Sequence, residues 1–164
     1  MKTIRTGLLS IFYLLLGVNF LAAQTNEMPR FNQGIVNYVT SVMGKQVARG
    51  ECWDLAKEAL DKYQAQWDGA FKFGREYDPQ KETVYPGDII QFWDVTFKYA
   101  KGNVTYTETM KQHTAVVYKV ISPGVLKIAH QNTSEGGKKV TTHEIRISDL
   151  AAGKMQFYRP IPPN

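Results

Sequence analysis

The hydrophobic and polar positions of this chain change period once, near residue 87. In "FNQGIVNYVTSVMG" (31–44), Ile35, Val36, Val39, Val42 and Met43 recur at the spacing of an amphipathic helix, and Gly44 closes it. "CWDLAKEALDKYQAQW" (52–67) carries Trp53, Leu55, Ala56, Ala59, Leu60 and Tyr63 on one broad stripe, which predicts a second helix starting on Cys52. Residues 66–86 are irregular, with Gly69, Gly74, Pro79 and Pro86 as punctuation. From Gly87 the pattern alternates with period two or runs β-branched, in "DIIQFWDVTFKY", "NVTYTETM", "HTAVVYKVI", "VLKIAHQN", "KKVTTHEIRI" and "MQFYRPI". "KG" (101–102) and "SPG" (122–124) supply turns between them. Two helices followed by about six strands, with no βαβ alternation, predict an α+β domain whose N-terminal helices pack on an antiparallel sheet.

The N-terminus stands outside that pattern. Lys2 and Arg5 precede an uncharged apolar run, "GLLSIFYLLLGVNFLAA" (7–23), which gives way at once to polar "QTNEMPR". This reads as a secretory signal over residues 1–23, cleaved near Ala22 to Gln24, with the mature chain secreted or periplasmic. An uncleaved membrane anchor is the alternative, because the run is nearly long enough to span. The remainder, 24–164, has the length of one domain. Loss of Lys2 and Arg5 leaves 18 basic residues against 15 acidic, so the formal charge falls from +5 to +3. No dense Lys/Arg stripe appears, which argues against nucleic acid and suits a mildly anionic partner such as a cell wall.

The chain has one cysteine, so no intramolecular disulfide can form. In an oxidising compartment a lone thiol is a liability unless it is buried or used. Cys52 falls in the first turn of the second helix, where unpaired N–H groups and the positive end of the helix dipole favour thiolate over thiol. The same N–H groups would hold the oxyanion of an acyl-transfer intermediate. Asp54, in the same turn, suits the dipole. The competing reading of Cys52 is a small core residue.

The histidines shift that balance. "HTAVVYKVISPGVLKIAHQN" is strand, turn, strand. With the turn at either Ile121–Gly124 or Ser122–Val125, His113, Ala115 and Val117 share a face with His130 and Asn132. An imidazole there can take the thiol proton, and His130 or Asn132 can orient that imidazole. His143, among charged and hydroxylated neighbours in "TTHEIRI", reads as a separate surface residue.

The order of a helix-borne cysteine, "PGDIIQFW", "HTAVVYKV", "AHQN" and a closing "FYRP" resembles the NlpC-type and CHAP (cysteine, histidine-dependent amidohydrolase/peptidase) superfamily, from about Ile35 to Pro160. The resemblance implies a papain-like fold that hydrolyses peptide or amide bonds of bacterial cell-wall peptides. It implies Cys52 as nucleophile and His113 as general base. The third residue is His130 on the NlpC pattern, with Asn132 kept from the CHAP pattern, and Asp88 in the "GD" turn is structural. The sequence departs from both patterns just before the cysteine, where Glu51 stands. That carboxylate opposes a thiolate unless it points away. Gln46, six residues before Cys52, has the separation at which papain-like proteases place an oxyanion glutamine; the competing reading is a solvent-facing loop residue. The aromatic cluster Trp67, Phe71, Phe73, Tyr77 and Tyr85 either walls a substrate groove or packs a long loop.

Three classes of function follow: a secreted cysteine amidase or peptidase, a non-catalytic wall-binding or partner-binding domain on the same fold, and a metal site built from Cys52, His113 and His130. The third lacks the close ligand pairs of structural zinc sites. The expected enzyme needs no cofactor and no metal. Its partners are peptidoglycan or a peptide, with no stable membrane insertion after signal cleavage and an inhibitor or immunity protein left open.

Overall fold

Helix α1 spans Arg30–Ser41 and helix α2 Cys52–Lys62. Both are shorter than the apolar stripe alone predicts. Val42 caps α1, and α2 stops at Tyr63, just before Gln64, whose φ of 52° takes the chain out of helical conformation. The computed structural model describes residues 27–164, so the expected signal segment 1–23 lies outside the described residues. Among the described residues no helix is long and apolar enough to cross a membrane.

Six strands form one antiparallel sheet: β1 Arg75–Tyr77, β2 Ile89–Lys101, β3 Val104–Ser122, β4 Val125–His130, β5 Thr141–Arg146 and β6 Leu150–Arg159, in the order β1-β6-β2-β3-β4-β5. The count of six matches the expectation, but its composition differs. "NVTYTETM" and "HTAVVYKVI" are one strand of 19 residues, because nothing between Met110 and His113 breaks the extended backbone and β2 pairs with it from Val104 to Val116. The short β1 comes from the segment that reads as irregular, and its three residues are defined only by pairing with β6.

The helices cover one face of the sheet. Ile35, Val39, Leu55, Ala56, Ala59 and Leu60 pack against Ile89, Val116, Ala129 and Tyr158. The other face buries Ile90, Phe92, Ala115, Val117, Leu126, Ile128 and Phe157. It is covered as the chain crosses from β5 at one edge through a 3-10 turn (Ile147–Asp149) to β6, with Ile147 and Leu150 packed onto it. Burial on both faces explains why "IIQF" in β2 is a continuous buried run rather than an alternation. The aromatic segment belongs to this packing: Trp67 stacks on Phe73, Phe73 meets Tyr158 edge-on, and Tyr77 meets Phe157.

The "GD" turn into β2 is a hub. Gly87 has φ 86°, and a Cβ there would lie 2.5 Å from the Asn32 carbonyl oxygen of α1, so only glycine fits. Asp88 is fully buried. Its carboxylate accepts from Asn32 Nδ2 (2.8 Å), Tyr77 Oη (2.6 Å), the Tyr85 backbone N–H (2.8 Å) and Arg159 Nη2 (3.0 Å), tying α1, β1, β2 and β6 together.

Candidate active site

The entry to α2 is built tightly. Gly50 has φ 83°, and a Cβ there would lie 2.7 Å from Cβ of Lys138. The Asp54 carboxylate reaches back to the backbone N–H groups of Arg49 (2.9 Å) and Glu51 (3.1 Å) and pairs with Arg49 Nη2 (2.8 Å). Asp54 is therefore more than a dipole partner: it clamps the turn that delivers Cys52 as the first residue of the helix.

Gln131 docks this turn onto the sheet. Fully buried, its side chain accepts from the Val47 N–H (3.1 Å) and donates to the carbonyls of Val47 (3.0 Å) and Glu51 (2.8 Å). Sequence reading passed over it, although the signal was present. If His130 faces one side of β4, alternation turns Gln131 toward the helices.

Cys52 is half-buried beside the backbone of Thr114, the residue after His113. Burial raises its pKa, backbone groups of Thr114 and Trp53 pull it down, and the Glu51 carboxylate adds to the rise; the net direction is up. The first-turn position favours thiolate, but loss of water outweighs it here. The side chain of Glu51 is held by Asn132 Nδ2 (2.8 Å), with Lys138 Nζ 3.8 Å away.

His113 and His130 are buried on the sheet face opposite the helices, where His113 packs beside Phe92. Their rings are joined, His113 Nε2 to His130 Nδ1 at 2.9 Å. Register explains the meeting. The turn closes at Ser122–Val125, and two register shifts along β3–β4 bring Val116 opposite Ala129. Continuing that register sets Asn132 opposite His113, but β4 ends at His130. Asn132 has φ 62°, a conformation its short polar side chain tolerates, and it turns to Glu51 instead of an imidazole. Of the four expected site residues, His113 and His130 are thus hydrogen-bonded, Asn132 contacts the cap of α2, and among the described residues no hydrogen bond joins Cys52 to an imidazole.

His143 is not a separate surface residue. Its Nδ1 lies 2.7 Å from His130 Nε2, and its Nε2 lies 2.8 Å from the Glu135 carboxylate. Sequence reading missed it because charged neighbours mark exposure. β5 nevertheless pairs with β4 so that His143 faces Ile128 and its ring reaches His130. The three histidines and Asn132 line a cleft of about 960 Å³ whose other wall is the β2–β3 hairpin, including Tyr99, Lys101 and Glu108. Cys52 is not among the residues lining it. Burial lowers the pKa of His113 to about 4 and of His130 to about 3, with the neighbouring imidazoles adding to both. Gln46 is exposed, as a solvent-facing loop residue is, and donates to the Ala48 carbonyl.

A half-buried cysteine opening a helix, against an antiparallel sheet that carries a buried histidine pair, defines a papain-like cysteine proteinase fold. The chain belongs to the AIM3/BBC1 cysteine proteinase-fold domain family, which it matches over residues 25–164. It is similar to the altered inheritance of mitochondria protein 3 of Debaryomyces hansenii, at 30% identity over 88% of this chain, and spans 17% of that protein's length. Two crystal structures of Ly7917 align with it, one solved with the hydrolyzing product of MDP. Their TM-scores are 0.47 and 0.46 at 17% and 20% identity, covering 77% and 81% of this chain and 62% and 63% of theirs.

Proposed function

We propose that the domain is a thiol-dependent hydrolase of peptide or amide bonds, with Cys52 as nucleophile, His113 as general base and His130 as the group that orients it. The observation carrying this reading is the His113–His130 bond at 2.9 Å, on the strand whose next residue, Thr114, lies against the Cys52 sulfur. Burial favours the neutral form of both reactants, raising the thiol and lowering the imidazole. The resting pair is then uncharged and not in contact, because His113 lies on the far face of β3, so the proton moves only when attack brings sulfur and imidazole together. His113 takes the thiol proton as sulfur bonds to the substrate carbonyl carbon. The N–H groups opening α2 receive the oxyanion, and the proton passes to the departing amine. Water, deprotonated by the same imidazole, then releases the acid from the thioester.

The NlpC/CHAP placement, a cell-wall peptide as substrate and export after cleavage near Ala22 to Gln24 extend this proposal and rest on the sequence resemblance. Digestion of purified wall sacculi and of a general peptide library with wild type and Cys52→Ala, with fragments identified by mass, tests activity and substrate together. Release that survives Cys52→Ala would refute the nucleophile. N-terminal sequencing of the exported protein tests the cleavage.

A second reading, a ligand-binding domain without turnover, is favoured by the cleft that gathers the imidazoles while Cys52 lies outside its lining. It predicts retention of sacculi or peptide with no fragment from either protein.

A further inference from the structure

We propose that His143 and Glu135 are positioning residues that fix the proton on every ring of the histidine row and leave Nδ1 of His113 as its free base; this rests on the reading of His113 as general base. With every ring neutral, the row has one direction. A carboxylate has no proton to give, so His143 donates to Glu135 through Nε2. In the all-neutral row of this proposal, His143 keeps only a lone pair at Nδ1, so His130 donates to it through Nε2. His130 in turn has only a lone pair at Nδ1, so His113 donates through its own Nε2. All three rings carry the proton on Nε2. Successive ring planes stand at 83° and 86°, so these N–H to nitrogen bonds, rather than stacking, hold the rings.

Burial favours the neutral forms of His113 and His130, two of the three neutral rings that the chain of donors requires. When His113 Nδ1 gains a proton, its Nε2 proton can pass to His130 Nδ1, and that ring's Nε2 proton to His143 Nδ1, which makes His143 the imidazolium beside the Glu135 carboxylate. One proton enters, and the charge comes to rest on a ring paired with a carboxylate whose side chain is 79% exposed. The positive charge therefore need not stay in the buried pair. Glu135 and His143 together define the inner end by securing the outer one.

Imidazole nitrogen-15 spectra of the full chain at neutral pH decide this. In wild type, His113, His130 and His143 should each show a protonated Nε2 and a bare Nδ1. Glu135→Ala, at an exposed loop position, should convert His143 and His130 to mixed tautomers, whereas Glu135→Gln, which can still accept through its carbonyl oxygen, should retain the wild-type pattern. His143→Ala should mix the tautomers of His130 and His113 and lower kcat about tenfold or more with little change in KM. A protonated Nδ1 on His113 in wild type, or tautomers unchanged in both Glu135→Ala and His143→Ala, would overturn the inference. If wild type hydrolyses nothing, the hydrolase reading fails and the spectra alone decide the proton order.

Discussion

His113 and His130 are bonded ring to ring although they are not cross-strand partners: β4 ends at His130, and the register extended past it would face His113 with Asn132. The bond is diagonal, and it takes the orienting position from the residue directly opposite.

His130→Ala should therefore lower turnover strongly while leaving substrate binding nearly intact, since it releases the tautomer of His113. Asn132→Ala should act mainly through the α2 cap, loosening the Glu51 carboxylate that Asn132 holds. Steady-state kinetics of both variants on the same peptide checks this. A larger loss of kcat in Asn132→Ala would reverse the roles and bring the site closer to a cysteine, histidine, asparagine arrangement.

The thiol gives a second test. Its position at a helix start predicts a lowered pKa, but burial and Glu51 raise it. Iodoacetamide alkylation of the full chain against pH should have its midpoint above the free-cysteine value of about 8.5. Glu51→Gln should move the midpoint down, because one of the groups raising it loses its charge. A midpoint well below the free value in wild type would mean that the helix terminus prevails and that the resting site is an ion pair.

The two helices, the antiparallel sheet and the shared face of His113 and His130 were legible because each leaves a period in the sequence. Both candidate hairpin registers preserve that face, and the structure uses one at the turn and the other nearer the histidines. What escaped depended on long-range contact. Nothing local marks β1 or the merging of two strands into β3, and His143 looks like surface until β5 is laid beside β4. The reversal at Cys52 has the same origin: position on a helix can be read from a sequence, and water loss at a side chain cannot.

Asp88 should matter to stability rather than chemistry. Asp88→Ala leaves Arg159, whose side chain is 17% exposed, without its buried partner and also strips the acceptor from Tyr77. Breaking a buried pair on one side costs about 3–5 kcal/mol. Urea unfolding should show a loss of that order with the slope against denaturant unchanged. A loss under about 1 kcal/mol would remove Asp88 from the role of hub.

Acid should unfold the domain earlier than its carboxylates alone dictate. His113 and His130 have folded pKa values near 4 and 3, below the ordinary 6.5. Between pH 6.5 and those values the unfolded chain binds protons that the native state refuses. Stability therefore rises with pH across this window and is lost as pH falls through it. Each histidine adds up to about 1.4 kcal/mol per pH unit to the slope. Asp54, Asp78 and Glu82, whose pKa values are lowered by their partners, lose their contributions further down, so the histidine effect is cleanest between pH 7 and 5. Urea unfolding at half-unit steps across that range should show wild type weakening steadily and His130→Gln weakening less. Equal slopes would mean that His130 takes up its proton as readily in the native state as in the unfolded chain, and the burial-depressed pKa would then have to be abandoned.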